Sequence, residues 1–288
     1  SASVGLALRL AACQRPMTAP PPFTLHPGTA PLLISFPHVG THVPPALAQR
    51  LTPKAREVHD TDWHLPRLYD FARGLGASLL IATHSRYVID LNRPPDGASL
   101  YPGQSVTALC PLDDFDGERI YLDAADEPGA AEIAARRAAL WQPYHDALAA
   151  ELARIRSSHG VAVLWDAHSI RSVLPRFFDG KLPDLNLGTA DGAACAPALA
   201  RELLGVAASA PGFTAVLNGR FKGGHITRAH GCPQQGVHAV QLEMAQCSYM
   251  QEAMPFDYLP AQAARIQPTL ERLLHVALAF AQRVGRSA

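Results

Sequence analysis

Five apolar runs, each leading to a residue capable of metal or proton chemistry, constrain this chain most. Residues 32–36 run through Pro37 into His38, and 78–82 lead past Arg86 to Asp90-Leu91-Asn92-Arg93. Residues 161–165 end in Asp166-Ala167-His168-Ser169, 214–217 at Asn218, and 238–242 at Glu243. Near-continuous apolar runs separated by helix-like stretches imply a strand buried on both faces, hence a mostly parallel sheet. The expected fold is α/β, a single domain with a mostly parallel (mixed) sheet and helices on both faces. In such open sheets ligands bind outside the carboxyl ends of the strands, where these residues converge.

The intervening pattern predicts amphipathic helices at 45–59 and 63–74, a long helix over 130–158 kinked or restarted at Pro143, a short one at 196–204, and a long C-terminal helix over 261–284. The segments 92–129, 171–191 and 219–235 carry no clear element. Following strand ends, they are expected on the face of the site, and 92–129 is long enough to act as a lid.

The chain has 288 residues, 48% of them hydrophobic and 17% charged, enough for a full core. Its formal net charge of +0 argues against a nucleic-acid or anionic-membrane partner. Cys13, Cys110, Cys195, Cys232 and Cys247 are dispersed with no C-x-x-C pair, which reads as reduced thiols in the cytoplasm and offers no cysteine zinc knuckle. No run reaches the ~18–20 apolar residues of a membrane span. The apolar stretch before Cys13 is broken by Arg9 and lacks a basic lead, so it is not read as a signal peptide. Met17, ahead of Pro20-Pro21-Pro22, looks like a natural start. The expected organisation is an N-terminal extension at 1–24, poorly structured, with 1–16 upstream of that start, and one catalytic domain at 25–288.

His38, straight after a buried run, suits a metal ligand, with His42 as a loop residue beside it. His168 and Asp166, two apart, leave a strand on the same face, so one can ligate while the other ligates or orients an imidazole. A two-histidine site needs an anionic ligand. In His59-Asp60-Thr61-Asp62-Trp63 the preferred donor is Asp62, with Asp60 as the alternative; both also suit helix caps. Glu243 is the one acid in an apolar run. Burying it demands a partner, a raised pKa or a place at the strand mouth, and beside a metal-activated water it is the natural general base. The alternative for Glu243 is a salt bridge to a core arginine. Arg86, Asn92, Arg93 and Arg228 form a recognition set for carboxylates and a polarised carbonyl, and Gly223-Gly224-His225 allows close backbone approach to a substrate. There is no G-x-S-x-G elbow, H-E-x-x-H helix or phosphate loop.

Taken in order, the motifs at 35–40, 60–63, 85–93, 166–169, 223–228 and 241–244 resemble the N-formylglutamate amidohydrolase family. The resemblance runs from about residue 32 to 250, the helix after it completing the domain. It implies cleavage of N-formyl-L-glutamate to formate and L-glutamate, a late step of histidine degradation, on a zinc-exopeptidase-like (phosphorylase/hydrolase-like) fold akin to zinc carboxypeptidases and aspartoacylase-like deacylases. Those relatives carry a His–Glu–His zinc site, an Asn-Arg pair on the substrate carboxylate and a glutamate base. Asn92-Arg93, Glu243, His38 and His168 match these. The ligand glutamate three residues after the first histidine is Thr41 here, so the third ligand comes from elsewhere. A tyrosine is also implied where His225 stands.

The combined expectation is a metal-dependent amidohydrolase. Zn²⁺ sits on His38, Asp62 and His168 (Co²⁺ or Mn²⁺ as other candidates), Glu243 is the base, Arg86 stabilises the oxyanion, and Asn92, Arg93, Arg228 and His225 bind substrate. The partner is a small acidic N-acyl amino acid, the protein a monomer or homodimer. The rivals are a deacylase for another N-acyl acidic amino acid, a carboxypeptidase-like peptidase, and a catalytically silent binder of acidic metabolites.

Overall fold

The computed structural model describes residues 18–285. They form one seven-stranded sheet in the order β1-β3-β2-β4-β7-β5-β6, from β1 (Phe23–His26), β2 (Leu32–Phe36), β3 (Ser78–Ala82), β4 (Ala162–Ile170), β5 (Leu185–Gly188), β6 (Ala215–Leu217) and β7 (Val237–Ala245). β3, β2, β4 and β7 are mutually parallel. β1 joins one edge antiparallel, and the parallel pair β5–β6 runs against β7 on the other side. All five apolar runs are strands in this mixed, mostly parallel sheet.

Two strands have no counterpart among the expected ones. β1 contains Phe23 and Thr24, assigned from sequence to the extension; its half-buried edge position leaves only a weak alternating pattern. The rest of that extension, through residue 17, lies outside the described residues, as does the start proposed at Met17. β5 is four residues long and sits inside 171–191.

The sheet sorts its side chains by parity. On the central strands Val163, Trp165, Ala167, Val240, Leu242 and Met244 face one core. There they meet the helices Pro197–Ala208 and Pro260–Gly285, which present Leu199, Leu203, Ile266, Leu270 and Leu273. Ala162, Leu164 and Ala239 face the opposite core, against Trp141, Tyr144, Leu148 and Leu152 of the helical stretch over 130–159. Helices therefore cover both faces. That stretch is not one helix: an α-helix at Ala130–Arg136 passes through a π-turn, Arg137–Trp141, into Gln142–His159. Pro143 cannot donate and its ring crowds the carbonyl four residues back, so the wide turn ahead of it absorbs the clash as expected.

The helices expected at 45–59 and 63–74 are single turns instead. Only Pro45–Ala48 and Leu65–Leu68 are α-helical, followed by 3₁₀ turns at Ala55–Glu57 and Asp70–Leu75. Val58 and His64 take left-handed backbone angles, φ 47° and 62°, which break helical periodicity. This break turns Asp62 towards the sheet, where its N–H donates to the His38 carbonyl at 3.0 Å. No helix among the described residues is long and apolar enough to cross a membrane.

Candidate active site

β4 and β7, the two longest strands, are paired over nine residues, with Asp166 opposite Gln241 and His168 opposite Glu243. Alternation puts all four side chains on one face. They lie within the strands and not beyond their ends, so the site is cut into the carboxyl half of the sheet. Its polar groups are held by the same ladder that holds the core.

His38, just past β2, and His168 on β4 lie with ring centroids 4.9 Å apart. Asp62 Oδ2 stands 3.7 Å from His38 Nδ1 and 3.2 Å from His168 Nδ1. On the far side of each ring Nε2 meets a carboxylate: Asp90 Oδ1 at 2.6 Å for His38, Asp166 Oδ2 at 2.6 Å for His168. A carboxylate on Nε2 fixes the tautomer and turns the Nδ1 lone pair towards Asp62, the usual support of metal-bound histidine. His38, Asp62 and His168 thus form a buried candidate metal site.

The charge balance fits a cation there. Burial disfavours a charged His168, yet Asp166, Asp62 and Glu243 outweigh it and hold its pKa well above the usual value. Burial likewise opposes ionised Asp62, but His168 and His38 bring its pKa down. Asp62 Oδ1 and Asp166 Oδ1 are buried without a hydrogen-bond partner. Arg86 answers Asp62 Oδ1 from 3.6 Å, while Asp62 Oδ2, which faces both Nδ1 atoms, joins two imidazoles in a donor set that suits zinc. A second group, His59, Asp114 and Asp116, is close enough to hold an ion. The Lys54 ammonium already serves it, 3.2 Å from Asp114 and 3.0 Å from Asp116.

Glu243 and Arg86 complete the inner wall. Burial pushes the Glu243 carboxyl up to about 8, with Asp62 and Asp166 adding to the rise and His168 and Arg86 opposing it. A carboxyl poised near neutrality can both take and return a proton. The Arg86 guanidinium donates to Asp90 Oδ2 at 3.0 Å, stands 3.6 Å from Asp62 Oδ1, and lies over the Phe115 ring at 4.7 Å.

The cavity in front of these groups is lined by His38, Arg86, Asn92, Arg93, His168 and Glu243, six of the residues singled out from sequence. Asp62 stands behind the histidines and is the aspartate whose carboxylate groups with them. Asp60 instead accepts hydrogen bonds from Tyr87 Oη and the Phe115 N–H, at 2.6 and 2.9 Å. Asn92 is committed to the scaffold: its Oδ1 accepts from the Ile226 N–H at 2.9 Å, and Nδ2 faces Gln241 and His168. Arg93 is held by the Thr107 carbonyl and hydroxyl, both at 3.1 Å.

Two expected substrate residues lie off the cavity. His225 opens the short helix His225–His230 and turns back onto Trp141 and His145, at 5.6 and 5.3 Å. Arg228, on the same helix, is exposed and donates to the Gly223 carbonyl. Helical spacing carries both away from the wall that Gly224 forms. There a Cβ would collide with the Asn92 side chain, so the Gly224 N–H reaches Gln241 Oε1 at 2.9 Å. Asn218 clamps Thr189 instead of facing the cavity, since β6 runs against the strands that carry the site. His42 lies on another face, against His84 at 4.7 Å.

Asp90, Gln241, Tyr101 and Arg220 were missed as functional residues. Asp90 had a signal, an acid between Ile89 and Leu91 that burial obliges to find partners. Burial works against its charge, but His38, Arg93 and Arg86 hold its pKa well below the usual range. Tyr101 and Arg220 come from the unassigned segments 92–129 and 219–235. There Tyr101 Oη donates to the Gly223 carbonyl at 2.9 Å, strapping the long loop across the mouth.

Known proteins resemble this chain in sequence and in fold. A sequence profile described as N-formylglutamate amidohydrolase matches residues 30–250. An N-formylglutamate deformylase of Pseudomonas aeruginosa is 54% identical over 253 residues, covering 88% of this chain and 94% of that protein. One from Pseudomonas putida is 51% identical over 264 residues, covering 91% and 98%. The crystal structure of an N-formylglutamate amidohydrolase from Ralstonia eutropha superposes with a TM-score of 0.76 at 26% identity, covering 93% of this chain and 99% of that one. A gene product of Agrobacterium tumefaciens shares the fold, TM-score 0.68 at 20% identity, covering 90% and 96%. With the profile spanning most of the chain and the relatives matched almost end to end, this protein belongs to the N-formylglutamate amidohydrolase family.

Proposed function

We propose that this chain hydrolyses N-formyl-L-glutamate to formate and L-glutamate. The observation that carries the reading is Glu243 beside two histidines, each backed by a carboxylate and turned towards Asp62, in a chain about half identical to deformylases along its length. His38, Asp62 and His168 would hold a divalent ion, zinc on this donor set, with Co²⁺ or Mn²⁺ as substitutes. Such an ion, when bound, supplies Lewis-acid polarisation of the formyl oxygen and acidifies water.

The chain's own groups carry the rest. Glu243 Oε accepts the proton of the attacking water as the new C–O bond forms at the formyl carbon. It returns that proton to the amide nitrogen as the C–N bond breaks, so formate and a free amine leave with atoms balanced. Arg86, held against Asp90 and Asp62, presents positive charge to the formyl oxygen as it gains negative charge. Asp90 and Asp166 keep the two imidazoles in the tautomer that leaves Nδ1 free. Asn92, pinned by Ile226 and Gln241, shapes the wall, and Arg93 offers charge to a substrate carboxylate.

A cytoplasmic protein is the reading that fits its thiols, since Cys110, Cys195, Cys232 and Cys247 are all unpaired. The test is formate release from N-formyl-L-glutamate by purified protein, before and after chelation, with Zn²⁺, Co²⁺ or Mn²⁺ restored. Turnover lost with chelator and regained with metal is expected. No formate under any metal overturns the reading in favour of another N-acyl acidic amino acid or a silent binder.

A further inference from the structure

Three arginines line the cavity: Arg86, Arg93 and Arg220. Two of them already have carboxylate company, Arg86 on Asp90 and Asp62, and Arg93 3.8 Å from Asp90. Arg220 does not. Its Nε donates to the Phe177 carbonyl at 2.6 Å and its Nη2 to the Ser105 carbonyl at 3.2 Å. The guanidinium packs over the rings of Tyr101 and Phe221, at 5.5 and 5.2 Å. Among the described residues no carboxylate lies within 4 Å of it, and Nη1 has no hydrogen-bond partner. Burial lowers its pKa, Arg93 adds to this, and Tyr101 and Glu243 work the other way.

A fixed, half-buried guanidinium with neutral carbonyls on one edge and an open Nη edge is a receptor for an anion, most favourably a bidentate carboxylate. Its place in the cavity says which carboxylate. The α-carboxylate of an N-formyl amino acid is one bond from the carbon that bears the amide nitrogen, and so stays near the inner wall with Arg86 and Arg93. A side-chain carboxylate extends further, towards the loops at the mouth from which Arg220 projects.

We propose that Arg220 binds the side-chain carboxylate of the substrate, and that preference for acidic over uncharged N-formyl amino acids is set there, away from the candidate metal site. This rests on the deformylase reading above and adds a specificity residue to it.

The experiment compares the wild type with Arg220→Gln and Arg220→Lys on N-formyl-L-glutamate and its uncharged isostere N-formyl-L-glutamine. In Arg220→Gln, kcat/KM for N-formyl-L-glutamate should fall about 10- to 100-fold, the range expected for a lost charge-assisted hydrogen bond. The loss should fall mainly in KM, with N-formyl-L-glutamine turnover little changed and Arg220→Lys recovering part of the loss. An equal loss on both substrates would make Arg220 merely structural and overturn the proposal, as would an unchanged preference. Calorimetric binding of L-glutamate and L-glutamine to the same three proteins separates the two claims. If the wild type releases no formate, the activity reading fails, yet discrimination lost in Arg220→Gln binding still supports the assignment. Equal discrimination in wild type and Arg220→Gln overturns it.

Discussion

His38, Asp62 and His168 are at most 3% exposed, anchored by β2, a turn hydrogen-bonded to it, and β4. Tyr101 and Arg220 at the other end of the cavity are half-buried and come from loops. Each inner imidazole has both ring nitrogens assigned, one to a carboxylate and one turned to Asp62, whereas Arg220 at the mouth rests on neutral carbonyls. The difference separates two tasks. Chemistry needs groups fixed to within fractions of an ångström, which a paired, buried ladder provides; discrimination among substrates needs charge and shape at the mouth, which loops can vary.

The sharpest way to break this comparison is Glu243→Gln. Glu243 sits on the same ladder, so the substitution should leave folding and metal content intact. Formate release should drop by about 10²–10⁴-fold, the usual weight of general acid–base catalysis. Metal analysis beside single-turnover kinetics checks it; loss of metal together with activity would make Glu243 a ligand and not the base.

Stability should divide along the same line. Leu164 is fully buried between strands and helix, so Leu164→Ala should cost about 2–5 kcal/mol in denaturant unfolding. Tyr101→Phe removes two hydrogen bonds at the mouth, one donated to the Gly223 carbonyl and one accepted from the Lys222 N–H, and should cost only about 1–3 kcal/mol while raising KM. A Tyr101→Phe protein as damaged as Leu164→Ala would mean that the loop belongs to the core.

Removing a carboxylate behind a histidine should cost less activity than removing the base. Asp90→Asn and Asp166→Asn each keep size but weaken the hold on an imidazole, and each should reduce metal affinity or activity by about 10–100-fold. Chelator competition reads this directly. Unchanged affinity in both variants would remove the tautomer argument for the inner site.

The same division decides what could be read from the sequence. Strand residues obey a period of two, so Asp166 with His168 and Gln241 with Glu243 announce a shared face, and the five long runs announce the sheet. His38 and His168 were legible because each follows or ends an apolar run. Asp62 was legible only as one of two, because the left-handed residues at Val58 and His64 that aim it have no sequence signature in a β-branched residue and a histidine. Arg220 and Tyr101 were not legible at all. They meet across more than a hundred residues through loop backbone carbonyls, and no periodicity records which carbonyl a loop arginine finds. For the same reason Arg228, beside a glycine pair, looked the better candidate until the helix beginning at His225 turned it outward.

One chain of histidines stiffens the junction between the two regions from behind. His145 Nε2 donates to the Leu91 carbonyl at 2.8 Å, next to Asn92 and Arg93, so its Nδ1 is an acceptor and takes the His230 Nε2 proton at 3.0 Å. Burial, only partly offset by the Leu91 bond and deepened by His230 and His225, pushes His145 down to about 3. Burial and His225 push His230 down to about 4, against a small opposing pull from Asp166. Both lie below the ordinary value of 6.5. Between those limits the unfolded chain binds protons that the folded one refuses, so stability falls as pH drops from about 6.5 towards 4 and is unaffected by these groups above it. Each unit of that window carries at most about 1.4 kcal/mol per histidine, or ~2–4 °C of Tm per kcal/mol at this size. His230→Gln keeps an N–H for His145 but removes one titrating group. Its melting temperature should therefore drop less than that of the wild type between pH 6.5 and 5. An equal drop in both proteins would place the acid sensitivity elsewhere and leave the loop base held by packing alone.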